Sequence, residues 1–131
     1  MGRVADRRED GLPEITIDPE KIKRVIVNLV NNSIQSMPKG GQITITAIRK
    51  EGSVLLTIRD EGAGIPNENI PKLFLPLFTT KPKGIGLGLT ICKRLVEAHR
   101  GNIVVASKVN AGTEVTIEIP QDKKTWTRNL Y

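Results

Sequence analysis

The chain has 131 residues, of which 38% are hydrophobic and 26% charged, the size and balance of one globular domain with a real core. No apolar run nears the ~20 residues of a membrane span and no signal peptide opens the chain; the single Cys92 excludes an intrachain disulfide, so a cytoplasmic setting is expected. The net charge of +6 would suit a polyanion, but the basic residues are spread along the chain and only Phe74, Phe78, Trp126 and Tyr131 are aromatic, too few for a base-stacking platform, so nucleic acid is not expected as a partner.

In chain order, residues 1–10 mix charges without an apolar period and read as a linker. The expected organisation is a linker at 1–12, a folded domain over 13–120 and a tail at 121–131. Residues 15–18 read as a short strand running into a helix cap, with Asp18 as the cap, Pro19 in the first turn and Glu20 near the positive dipole end. Ile22, Val25, Ile26, Leu29, Val30 and Met37 then recur at helical spacing until Pro38, Lys39, Gly40 and Gly41 end the run. Residues 42–48 and 53–60 predict an antiparallel hairpin about a Lys50-Glu51-Gly52 turn, and 67–74 predict one or two helical turns. A second helix carries Ile91, Cys92, Leu95, Val96 and His99 on its core side and stops at Gly101. Strands at 102–107 and 113–119 flank the Asn110-Ala111-Gly112 turn. Paired hairpins exclude a doubly wound parallel sheet; the expected fold is an α/β (α+β) two-layer sandwich, a mixed, mostly antiparallel sheet with helices on one face.

Gly84, Gly86 and Gly88 precede the second helix, where a backbone can approach phosphate. They fit neither a P-loop, since no Gly-Lys-Ser/Thr occurs, nor a dinucleotide fingerprint, since they follow a long loop and alternate with single residues. On the first helix Asn28 and Asn32 stand one turn apart with Gln35 three residues on, along one flank of the apolar stripe. Amide oxygens suit Mg²⁺, which takes one or two protein oxygens plus phosphate oxygens; local backbone bonding or solvent exposure is the alternative. Asp60 ends an apolar strand just before Gly62 and Gly64. A carboxylate there can accept from an exocyclic amine such as adenine's, or can belong to an ordinary turn.

With "NLVNNSIQSM", "DEGAGIP", "KLFLPLFTTK", "GIGLGL", "VEAHRGNIVVAS" and "GTEVTIEIP" in this order, the chain resembles the catalytic ATP-binding domain of two-component sensor histidine kinases. That group shares its fold, the Bergerat fold, with gyrase, the heat-shock protein of ninety kilodaltons and mismatch-repair ATPases. The resemblance covers roughly residues 13–120 and implies ATP and Mg²⁺ as ligands. It implies Asn32 as the Mg²⁺ ligand, Asn28 as phosphate support and Gln35 beside them, where a basic residue is common. Asp60 would meet the adenine amino group, with Gly62, Gly64 and Ile65 shaping that wall and Thr113 reaching it from a late strand. Thr79, Thr80 and Lys81 would flank the phosphates, with an exposed loop lysine as the alternative for Lys81. Gly84, Gly86, Leu87, Gly88 and Leu89 would form a lid hinge leading into a helix start. Further departures are Leu75 for an acid, Leu77 for a phenylalanine and Ile85 for a threonine. Residues 74–85 are expected to settle when nucleotide binds.

Asn28 occupies the place where hydrolysing relatives carry a glutamate, and an amide cannot accept a proton at neutral pH. The chain is therefore expected to position ATP for transfer; phosphoryl transfer rests mainly on positioning and charge neutralisation. No catalytic residue is assigned. The resemblance implies a histidine acceptor on a separate dimerisation domain and a response regulator downstream, with no membrane contact by this domain, whatever anchor a parent protein carries. His99, the single histidine, reads as a core residue. Alternatives are an anti-sigma-factor-type serine kinase, an ATPase of the same superfamily, and a binding module without catalysis.

Overall fold

The computed structural model describes residues 3–8 by their backbone and residues 17–75 and 88–121. Helix α1 spans Pro19–Gln35. Asp18, in extended backbone, starts it: its carboxylate accepts the N–H groups of Glu20 at 3.1 Å and Lys21 at 3.4 Å, two donors that the helix cannot satisfy itself. At the other end Ser36 returns its N–H to the carbonyls of Asn32 and Ser33. Met37 lies beyond this cap, yet it is buried with the helix's own stripe of Ile22, Val25 and Leu29. Helix α2 spans Gly88–Ala98 and buries Cys92 and Val96. A 3-10 helix, Asn67–Lys72, supplies the short helical turns expected there.

The sheet has five strands: β1 (Arg3–Arg8), β2 (Gln42–Lys50), β3 (Ser53–Asp60), β4 (Asn102–Lys108) and β5 (Gly112–Pro120), in the spatial order β1-β2-β3-β5-β4. Strand β1 runs parallel to β2; every other pairing is antiparallel. Period-2 alternation sends Ile43, Ile58, Val115, Ile117, Ile119 and Ile103 to one face, where they meet Ile22, Val25, Leu29, Cys92 and Val96 from the helices. Each fully buried isoleucine in that layer contributes ~2 kcal/mol by leaving water. On the opposite face Thr57 and Thr116 pair through their hydroxyls at 3.3 Å. The two-layer, mostly antiparallel architecture read from the sequence is the one found. None of the described helices is long and apolar enough to cross a membrane.

Two expectations are corrected. Arg3–Arg8 is not linker: it forms the edge strand β1, with Arg3 opposite Gln42 and Arg8 opposite Ala47. An edge strand is held by backbone pairing on one side, so its charged residues need show no apolar period. The strand expected at 15–18 is absent at Ile17 and Asp18, which lead into the helix cap; residues 15 and 16 lie outside the described residues.

Candidate functional site

Asp60 closes β3 with only 5% of its surface exposed. Its Oδ1 accepts two backbone N–H groups, from Gly62 at 2.9 Å and from Thr113 at 3.1 Å. Such bonds to a carboxylate are charge-assisted and orient it firmly. Its other oxygen, Oδ2, has no partner among the described residues, where no buried side-chain oxygen goes unpaired, so Oδ2 reaches the surface. The carboxylate is thus held by one oxygen and offers the other.

The segment after Asp60 is clamped from two sides. On one side the end of α1 supports it: Ala63 N–H donates to the Ser36 carbonyl at 3.2 Å, and a Cβ on Gly62 would lie 2.1 Å from Ser36 Oγ. On the other side stands the β4–β5 turn. Asn110 N–H donates to the Ala63 carbonyl at 2.7 Å, and Gly64, at φ +76°, passes so close that a Cβ would fall 2.0 Å from the Lys108 carbonyl oxygen. Gly112, at φ +93°, comes as near to the Asp60 carbonyl, 2.1 Å from where its Cβ would be. Both positions need glycine for backbone conformation and for space.

Ser107 joins these pieces. Its Oγ accepts the Ile65 N–H at 2.8 Å, donates to the Gly112 carbonyl at 2.9 Å and contacts Thr113 Oγ1 at 2.8 Å. Asp60, Gly62, Gly64, Ile65 and Thr113, expected together, are therefore one knot. Ser36 and Ser107 were missed. The hairpin register pairs Ser107 with Thr113, so the Asn110-Ala111-Gly112 turn was the signal that could have found Ser107.

The α1 amides occupy a different setting. Asn28 is half-buried on α1, and on α2 the buried Cys92 thiol donates to the Val25 carbonyl at 3.8 Å. Burial pushes the Cys92 thiol from 9.0 up to about 11, against the smaller pull of the Asn28 hydrogen bond and the Arg24 charge. Asn32, one turn on, is half-buried, and Gln35, the last residue of α1, is exposed. The only acid on α1 is Glu20, about three turns before Asn32.

Gly88 opens α2, and Leu89 packs partly against the core. Thr79, Thr80, Lys81, Gly84, Gly86 and Leu87 lie outside the described residues, as does most of the stretch expected to settle on nucleotide. The points where the described chain leaves and rejoins that stretch are tied together: Thr90 Oγ1 donates to the Phe74 carbonyl at 2.9 Å, and Lys93 Nζ lies 5.4 Å from the centre of the Phe74 ring. His99 bridges the helices at their far end. Its Nδ1 contacts the Leu95 carbonyl at 2.8 Å, while Nε2 accepts the Asp18 N–H at 2.9 Å, so the ring is the Nδ1–H tautomer with both nitrogens engaged.

Comparison with known proteins gives the family and the fold. The family of histidine kinase-, DNA gyrase B-, and HSP90-like ATPases matches residues 17–123. Sporulation kinase D of Bacillus subtilis (strain 168) is 44% identical over 101 residues, covering 77% of this chain and 20% of that protein. Sensor histidine kinase ZraS of Escherichia coli (strain K12) is 40% identical over 111 residues, covering 85% of this chain and 24% of that protein. The chain thus spans about a fifth to a quarter of these relatives. Among solved structures, the nucleotide-free catalytic domain of histidine kinase ThkA superposes with a TM-score of 0.81 at 34% identity, covering 92% of this chain and 79% of that one. Full-length ShkA in complex with AMPPNP gives 0.82 at 27% identity, covering 91% of this chain and 25% of that one. The chain belongs to the histidine kinase-, DNA gyrase B-, and HSP90-like ATPase family, as an ATP-binding domain of the kind that forms the catalytic domain of histidine kinases.

Proposed function

We propose that this domain binds Mg²⁺-ATP and gives the γ-phosphoryl group to a histidine on a separate dimerisation and phosphoacceptor domain of the same kinase, from which a response regulator takes it. In the transfer a nitrogen–phosphorus bond forms to the acceptor imidazole, the β–γ oxygen–phosphorus bond breaks and ADP leaves. The single observation that carries this reading is a carboxylate, Asp60, held by one oxygen and open at the other, together with a helix that brings amides and no nearby carboxylate. Asp60 Oδ2 is suited to the adenine amino group, with Thr113 beside it. Asn28 and Asn32 are suited to the phosphate end.

Among the described residues no group of three His, Cys, Asp or Glu side chains could hold a metal unaided. That donor set fits an ion that arrives with its phosphates and takes one amide oxygen, from Asn32, and not a resident caged metal. Bound there, Mg²⁺ would neutralise the charge that builds on the transferring group. Asn28 cannot take a proton from water, which favours transfer over hydrolysis. His99, with both ring nitrogens bonded inside the fold, is a poor acceptor; the acceptor belongs to another domain, as the greater length of the relatives allows. A domain using ATP in this way is placed on the cytoplasmic side of any membrane its parent spans.

Mixing the chain with γ-labelled ATP and a helix pair carrying the acceptor histidine tests the proposal. Acid-labile, base-stable label on the helix pair is expected. Label on serine would point to the anti-sigma-type kinase. If the unaltered chain hydrolyses ATP as fast as Asn28→Glu, the argument from Asn28 fails.

A further inference from the structure

A hydroxyl has one hydrogen and two lone pairs, and around Ser107 all three are spoken for. The 2.9 Å separation of Ser107 Oγ and the Gly112 carbonyl oxygen needs a hydrogen between two oxygens, and only Ser107 can provide it. One lone pair then accepts the Ile65 N–H at 2.8 Å. The remaining contact, 2.8 Å to Thr113 Oγ1, can only be accepted by Ser107, so Thr113 is its donor. The Thr113 hydrogen is thereby committed to Ser107, and Thr113 Oγ1 faces any other partner with lone pairs alone. The same holds for the open oxygen of Asp60, whose Oδ1 shares the knot through the Thr113 N–H at 3.1 Å.

We infer that Ser107 is a positioning residue for base selection, which turns the Thr113 hydroxyl into an acceptor so that the knot rejects a base carrying a carbonyl in place of adenine's amine. The inference rests on the proposed assignment of Asp60 to the base. With both side chains offering only acceptors, an exocyclic amine is welcomed. A purine with oxygen at that position sets lone pair against lone pair, which a serine-free Thr113 could relieve by rotating its hydrogen toward the base. Discrimination of this kind is large because the wrong partner leaves buried polar groups unpaired.

The test measures binding of ADP and of inosine diphosphate to the full chain by calorimetry, with thermal melts to verify folding. The unaltered chain is expected to prefer ADP by ~30-fold or more, the order expected when a polar group is left unpaired on binding. Ser107→Ala is expected to narrow the preference to about fivefold or less, and Ser107→Thr, which keeps a hydroxyl there, to restore it. Damage to the fold alone would weaken both nucleotides alike and leave the ratio where it was. Should Ser107→Ala not fold, Thr113→Val removes the acceptor directly and is expected to narrow the ratio likewise. If Asp60→Asn collapses the preference while Ser107→Ala and Thr113→Val leave it intact, the role given to Ser107 is overturned. If the unaltered chain has no preference, or Asp60→Asn does not change it, the assignment of Asp60 to the base falls first, and this inference with it.

Discussion

The knot around Asp60 and the seam between α1 and α2 solve the same problem, holding distant segments in place, by opposite means. In the knot, directional bonds at 2.7 to 3.1 Å link β3, the loop after it and the β4–β5 hairpin, and glycines let backbones touch. At the seam, Val25, Leu29, Cys92 and Val96 are held by burial, with Asn28 and Cys92 as a small polar interruption. Burial is non-directional and sets where a helix lies; hydrogen bonds set which way a donor or acceptor faces. The end of the domain proposed to meet the base calls for the second kind of control, and the knot supplies it.

The sharpest way to break this contrast is at Gly112. A Cβ there would overlap the Asp60 carbonyl oxygen, on a backbone at φ +93°. Gly112→Ala is expected to cost about 3 kcal/mol or more through strain and overpacking together, read from urea unfolding. A loss under about 1 kcal/mol would mean that the knot is not the rigid element described.

The seam is probed by pH. Since burial raises the folded thiol of Cys92 from 9.0 to about 11, the unfolded chain binds fewer protons than the folded one between those values. Stability is therefore full below pH 9 and declines as pH rises toward 11, by on the order of 2 kcal/mol from this group. Paired unfolding curves for the unaltered chain and Cys92→Ala across that window isolate it: the variant should have the shallower decline, and parallel curves would argue against a buried thiol.

The smallest effect is expected at the start of α1, far from the knot. Asp18→Ala removes the cap that accepts from Glu20 and Lys21, and is expected to lower stability by ~1 kcal/mol. Nucleotide affinity should not change, because the seam holds α1 by burial. A parallel fall in ADP binding by calorimetry would show that the cap end and the site are coupled.

Much of this was legible in advance, and the exceptions are instructive. Asp18, Pro19 and Glu20 announced α1 because capping acts within one turn. The two hairpins were legible because alternation and turn residues are equally local. Asp60 and its glycines were recognisable as a motif, but the reason for each glycine was not: Gly62 yields to Ser36, Gly64 to Lys108 and Gly112 to Asp60 itself. Strand β1 escaped because an edge strand can be rich in charge, show no apolar period and still pair.

The residues by themselves determined the two long helices, the two hairpins, their order and the family, since periodicity, caps and motif spacing are properties of neighbouring positions. Only the tertiary structure decided which way the hydroxyls face and which oxygen of Asp60 stays open. Those bonds join residues 42 and 53 positions apart, and a hydroxyl's direction depends on every partner that surrounds it. A chain can declare a serine and a threonine; only packing tells which of them gives its hydrogen to the other.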